Sequence, residues 1–256
     1  MMDVKKVIPC LDCDLSSGRI NLVKGVEFRN VKAVGNPVEK AKEYCNQGAD
    51  ELVVLDINAT VENRKTRVEA VKKIAAACTV PLAVGGGIRS VEEARELIEA
   101  GASKVGVNTA AVKRPELISE LSNEFGKEAV VSAIDGKKVD GNWNVFINAG
   151  TKDAGVDAIE WAKEVEKLGA GSILLTSIDR DGTEKGYDVP LTKAISEAVK
   201  IPVIASGGAG SLEDMYTILI EGKARGVLGA SVFHYGKFTV RQVKEYLKSR
   251  GVKVKL

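Results

Sequence analysis

Histidine is almost absent from this chain: His234 is the only one in 256 residues. Cysteine is scarce too, with four copies. A zinc site needs three or four ligands, mostly drawn from these residue types. Cys10 and Cys13 form a C-x-x-C, but no second such pair exists to complete a metal site. In a strand, Cys10 and Asp12 point to one face and Cys13 to the other, which parts the thiols and disfavours a redox pair. Cys45 and Cys78 fall in helical patterns and read as small core residues. No metal and no cofactor is expected.

An excess of either charge is also missing. Lys and Arg number 37 against 35 Asp and Glu, a net charge of +2, and the two signs are interspersed. That excludes a dedicated nucleic-acid surface. The basic end, Lys248 to Lys255, is short and reads as a solvated terminus. No apolar run is long enough for a membrane span, and MMDVKK leads into a strand without the apolar stretch of a secretory signal. A cytoplasmic setting is the expectation. What is present, 45% hydrophobic and 28% charged residues, is the composition of a globular protein. At this length a sizeable core forms without disulfides or metal.

The chain repeats itself once. VPLAVGGGIRS (Val80–Ser90) returns as IPVIASGGAGS (Ile201–Ser211), and ELVVLDINAT (Glu51–Thr60) as ILLTSIDRDGT (Ile173–Thr183). KVGVNTAAV (Lys104–Val112) returns as RGVLGASVF (Arg225–Phe233), while VIPCLD (Val7–Asp12) and AVVSAID (Ala129–Asp135) each close on an aspartate. The spacing far exceeds a solenoid unit. It marks a duplicated half-domain, with halves near 1–123 and 124–256.

Short runs rich in Val, Ile and Leu alternate with amphipathic runs eight times. The strands are expected near Lys6–Leu11, Glu51–Leu55, Val80–Val84, Lys104–Val107, Ala129–Ile134, Ser172–Thr176, Ile201–Ala205 and Gly226–Gly229. They are apolar on both faces, as buried parallel strands are. Helices are expected over Pro37–Gln47, Arg64–Ala77, Ser90–Ala100, Pro115–Glu124 and Asp157–Leu168. Ser90 and Glu93 form a capping-box pattern, and Gly48, Gly101, Gly169 and Gly222 stand at helix C-termini. Eight β-α units without a linker predict an α/β fold, a single (β/α)8 TIM barrel of two half-barrels spanning 1–256. A doubly wound open sheet is the alternative, and it explains the two halves poorly. Lys138–Thr151 alternates around Asp140-Gly141 and predicts a hairpin after the fifth strand.

In such barrels the chemistry sits at the C-terminal strand ends. Asp12 and Asp135 should face each other across that mouth. A single strand-end aspartate is most often a helix cap or loop anchor, but two at equivalent places in a repeat point to acid–base work at two positions of one substrate. Gly85-Gly86-Gly87 with Asn108-Thr109, and Gly207-Gly208 with Ala230-Ser231, close neighbouring strands in the two halves. Backbone N–H groups at helix N-termini bind phosphate there. Paired runs predict two phosphate sites and hence a long, doubly phosphorylated substrate. Lys24, in a loop with Gly18 and Gly25, is a surface lysine or one that closes over the substrate.

The segments IPCLD, VKGVEF, LDINAT, VGGGIRS, VNTAAV, TSIDRDGTEKGYD, ASGGAG and ASVFH resemble the cyclase subunits of imidazole glycerol phosphate synthases, in histidine biosynthesis. The resemblance runs nearly end to end. It favours the cyclase over the sister phosphoribosylformimino isomerase, which performs an Amadori rearrangement; a non-catalytic phosphate-binding barrel is the third reading. The resemblance implies a bis-phosphorylated nucleotide and ammonia as substrates, with Asp12 and Asp135 as the acid/base pair. It implies one phosphate site at Gly87, Asn108 and Thr109, and another at Gly182, Gly208, Ala230 and Ser231. Thr176, Asp181 and Ser206 would line the mouth, Asp56 would be a supporting carboxylate, and Lys24 the loop lysine. A glutaminase subunit would dock on the N-terminal barrel face and deliver ammonia through a charged entrance, for which Lys6, Glu51 and Lys104 stand in place, with Lys6 where the family usually has arginine. Ser172 occupies a position where the family has glutamate, and Ser103 one where it has an interface aspartate. The segment between Asp12 and Lys24 is about four residues longer than the family pattern.

Overall fold

A computed structural model describes residues 4–15, 21–26 and 29–256, apart from the side chains at 24–26 and 29–33. The chain opens with β1 (Lys6–Asp14), then β2 (Asn21–Val26) and β3 (Arg29–Gly35). Helix and strand then alternate through α1 (Pro37–Asn46), β4 (Leu52–Asp56), α2 (Val68–Ala77), β5 (Leu82–Gly85), α3 (Val91–Glu99) and β6 (Lys104–Val107). Two helices, α4 (Thr109–Lys113) and α5 (Glu116–Phe125), lead to β7 (Val130–Val139), β8 (Asn142–Ile147) and β9 (Lys152–Asp157). The rest is α6 (Ala158–Lys167), β10 (Ser172–Ser177), α7 (Val189–Ala198), β11 (Val203–Ser206), α8 (Leu212–Ile220) and β12 (Gly226–Gly229), closed by α9 (Ser231–His234) and α10 (Val240–Ser249).

Eight of these strands pair in parallel around a ring, β1-β4-β5-β6-β7-β10-β11-β12, and β12 closes back onto β1. This is the (β/α)8 barrel that the alternation predicted. β1 and β7 stand diametrically opposite, with three strands between them on either side. Side chains alternate along each strand. Val7, Leu11, Val54, Val105, Ile134, Ile173 and Val203 face the helices in the large core, whereas Ile8, Cys10, Val53, Ala83, Val131, Leu174 and Leu228 pack inside the ring. Cys10 and Cys13 are both buried and lie on these two different faces. The inward positions of β5 to β7 are small, with Ala83, Gly85, Gly106 and Ala133 among them, so the interior stays open along that wall.

Several local expectations change. β1 and β7 do not stop at their aspartates: both run on and turn into antiparallel extensions, β1 pairing β2 and β7 pairing β8. The expected hairpin forms at Asp140-Gly141, both with positive φ (48° and 92°), as a two-residue primed turn requires. Lys24 belongs to β2, not to an irregular loop; its side chain, and the longer segment at 16–20, lie outside the described residues. Ser90 caps α3 by accepting from the Glu93 N–H at 3.3 Å, but the Glu93 carboxylate turns to the Arg89 N–H at 2.8 Å, one residue before the position a capping box uses. Full boxes occur at Ser211 with Asp214 and at Thr239 with Gln242 instead. Gly222 does not adopt the left-handed conformation; Lys223 does, at φ 57°.

Candidate active site

The open interior is a cavity of about 410 Å³ that runs the length of the barrel. Its floor carries Lys6, Glu51, Lys104 and Ser172 from the N-terminal strand ends, and its upper end carries Asp56, Gly87, Asn108, Thr109, Asp135 and Thr176. A smaller cavity adjoins it across Leu55, Leu174 and Thr176, and is lined by Asp12, Asp181, Gly182, Ser206, Gly208, Ala230 and Ser231. Every expected site residue with a described side chain therefore borders one of two neighbouring lobes. The two aspartates stand on opposite strands, one in each lobe, instead of in one undivided pocket.

The strand period explains this gathering. Lys6, Ile8, Cys10 and Asp12 share one face of β1, and Val131, Ala133 and Asp135 share one face of β7. Asp12 lies beside Cys10, whose thiol donates to Oδ1 at 3.5 Å. Asp135 accepts a bond from the Asn108 amide, Nδ2 to Oδ2, at 2.8 Å. Burial pushes the Asp135 carboxyl up to about 7, the charge of Asp181 adds to the rise, and the Asn108 bond opposes it. Nδ2 also donates to the Phe146 carbonyl at 3.4 Å, so the β8 extension helps to fix this amide. Thr109 is tied to the same extension: its Oγ1 accepts from the Asn148 N–H at 2.9 Å.

The two glycine loops are built by close backbone packing. At Gly87, φ is 73° and an added Cβ would lie 2.7 Å from the Ala59 Cβ and the Arg64 carbonyl. At Gly208, φ is 100° and a Cβ would meet the carbonyl of Gly186. Only glycine fits either place. The N-termini of the helices that follow are partly engaged by their own side chains. In α3 and α8 the Glu93 and Asp214 N–H groups are bonded to the Ser90 and Ser211 hydroxyls, and the Glu93 and Asp214 carboxylates stand beside these N-termini, accepting from the Arg89 and Ser211 N–H groups. α4 and α9 have only five and four residues, which leaves little dipole to act. Loop amides and the hydroxyls of Thr109, Ser206 and Ser231 remain as the polar groups suited to phosphate.

Asp56 has a different setting from the other site carboxylates. It is buried, and both its oxygens are held by Arg64, at 2.6 and 2.8 Å. Burial raises its pKa even so, because loss of water costs the carboxylate more than the guanidinium restores. Arg64 also binds Glu62 at 2.6 Å. The pair holds the 56–66 loop, in which the Thr66 hydroxyl donates to the Gly86 carbonyl and Thr60 Oγ1 accepts from the Gly87 N–H at 3.3 Å.

At the barrel floor Lys6 and Lys104 both reach Oε2 of the buried Glu51, at 3.0 and 2.7 Å. The two lysines thus converge on one carboxylate, while Ser172 stands buried on the far side of the ring. Ser103 lies in the turn before β6, where its hydroxyl accepts from the Leu82 N–H at 3.4 Å. Sequence reasoning missed Arg64, Arg89, Lys113, Asn148 and Ala149, which also line the large cavity. One signal was available: Lys113 follows Thr109 by four residues, a single helical turn.

Among the described residues, no helix is long and apolar enough to cross a membrane. The family model for the histidine biosynthesis protein matches residues 6–239. Over 252 residues the chain is 53% identical to the imidazole glycerol phosphate synthase subunit HisF of Dehalococcoides mccartyi, and the match covers 98% of each sequence.

Proposed function

Because the chain belongs to the histidine biosynthesis protein family, we propose that its barrel carries out the cyclase step of imidazole glycerol phosphate synthase. The enzyme is a lyase of that pathway. Ammonia adds to the ketone carbon of the bis-phosphorylated ribulosylformimino-aminoimidazole carboxamide nucleotide. One water is lost, the formimino C–N bond breaks, and ring closure gives imidazole glycerol phosphate and the aminoimidazole carboxamide ribotide. The observation that carries the reading is the pair of opposed aspartates, on β1 and β7, between two glycine-lined ends.

Asp135, pushed up to about 7, retains a proton near neutrality and suits the acid role, for the departing water and then the departing amine. Asp12, across the barrel, takes the base role. Gly87, Asn108 and Thr109 would hold one phosphate; Gly182, Gly208, Ala230 and Ser231 would hold the other. Thr176, Asp181 and Ser206 flank the reacting centre. Asp56 acts through Arg64 on the first glycine loop, and Lys24 is proposed as the residue that closes over the substrate. Asp12→Asn should reduce kcat by at least about a thousandfold and leave substrate binding within a few-fold of wild type. Turnover near the wild-type rate would remove Asp12 from the mechanism.

The cavity that joins the floor to Asp135 suits delivery of uncharged ammonia, which a dry passage keeps from protonation. The proposal therefore includes a glutaminase partner on the N-terminal face, with Lys6, Glu51, Lys104 and Ser172 at the entrance. Ser103 and Ser172 alter the charges such a partner would meet. It also includes a cytoplasmic setting, and a single domain of two half-barrels, 1–123 and 124–256.

A further inference from the structure

The two ends of the site are not electrically alike. At the Gly87 and Thr109 end, three cations line the cavity: Arg64, Arg89 and Lys113. Arg64 is matched by Asp56 and Glu62. Arg89 is matched by Glu93 at 3.2 Å and also donates to the Asn63 Oδ1 at 2.6 Å. Lys113 has no ion pair among the described residues, and it is exposed at the rim, one turn beyond Thr109 on the same face of α4. At the other end the described lining includes Asp12, Asp181 and Glu184 and no lysine or arginine, and Glu184 is itself paired with Lys237 at 3.0 Å.

We propose that Lys113 is a substrate-binding residue, which draws one phosphate of the substrate to the Thr109 end and sets its orientation. The inference deepens the functional reading above and rests on it. A dianionic phosphate beside Thr109 lies one helical turn from an ammonium that no carboxylate among the described residues neutralises. The opposite phosphate meets loop amides and hydroxyls in a lobe that also carries carboxylates. Lys113 then contributes to capture of the substrate through its charge at the Thr109 end. Because Lys113 is exposed, its pull is screened within about 8 Å at physiological ionic strength, so capture should weaken as salt rises.

The test compares Lys113→Glu, Lys113→Gln and Thr109→Val with wild type, measuring kcat and KM for the bis-phosphate nucleotide at saturating ammonia and several salt concentrations. Lys113→Glu should raise KM about tenfold, the size expected for reversing one nearby charge, with kcat changed less than twofold. Lys113→Gln should fall between, and both should flatten the salt dependence of kcat/KM. A raised KM in Thr109→Val, with Lys113→Glu within twofold of wild type, would overturn the role of Lys113 and leave the phosphate end intact. If neither substitution moves KM, no phosphate binds at this end and both readings fall.

Discussion

Asp135 holds its proton against the ordinary tendency of an aspartate because the barrel wall surrounds it and Asp181 stands near. In the unfolded chain this carboxyl ionises at about 3.8. The folded state therefore binds the proton more tightly, and stability present at low pH is lost as pH rises towards 7. Asp135→Asn should equal wild type below about pH 4 and exceed it above pH 7, by a few kcal/mol at most. Thermal melts across that range check the sign; a variant less stable at pH 8 would contradict it. Asn108→Ala removes the bond that favours the carboxylate, so the fall of kcat through pH 7 should move to higher pH. The two aspartates were legible in the sequence because the strand period brings them inward at matching places of a repeat. Lys113 was only weakly legible: its spacing from Thr109 was a signal, but a lysine near a helix end looks like any solvated one until the cavity lies beside it.

At the scale of elements, one buried ion pair ties the last helix to the barrel. Lys244 lies on the buried face of α10 beside Val240, Val243 and Leu247, and its Nζ reaches Asp50 at 2.7 Å and the Gly48 carbonyl at 2.5 Å. Asp50 accepts in turn from the Val7 N–H at 2.8 Å, at the start of β1. Lys244→Ala would leave a nearly buried carboxylate without its cation, a loss of about 3–5 kcal/mol, or roughly 10 °C in Tm for a chain of this size. A drop under 2 °C by calorimetry would contradict this account of the clamp. The β7–β8 hairpin was legible because Asp140-Gly141 supplies two residues that accept positive φ. β2 and β3 were not: their sequence, NLVKGV and RNVKAVG, mixes glycine and charge with apolar residues and matches neither period cleanly. The extension of β1 beyond Asp12 was hidden too, because Cys13 and Asp14 are too few to show a period.

The whole molecule is a closed ring whose inward side chains change from charged at one end, through apolar, to acidic and glycine-rich at the other. The alternation of strands and helices made the barrel legible, since every parallel strand must be buried on both faces. The continuous cavity was not legible, because it depends on which small residues, Ala83, Gly85, Gly106 and Ala133, fall inward on adjacent strands. The site residues likewise divide between two lobes only once strand tilt and loop packing are known. Turnover of the bis-phosphate nucleotide by the purified chain, with saturating ammonium salt near pH 7 and no partner, tests the central claim most directly. The same assay with glutamine and a glutaminase in place of ammonium then tests the coupling. The account predicts imidazole glycerol phosphate and the aminoimidazole carboxamide ribotide in equal amounts, at a rate that rises with ammonia. Tight binding of the nucleotide with no ammonia-dependent product, or its rearrangement without ammonia, would contradict it.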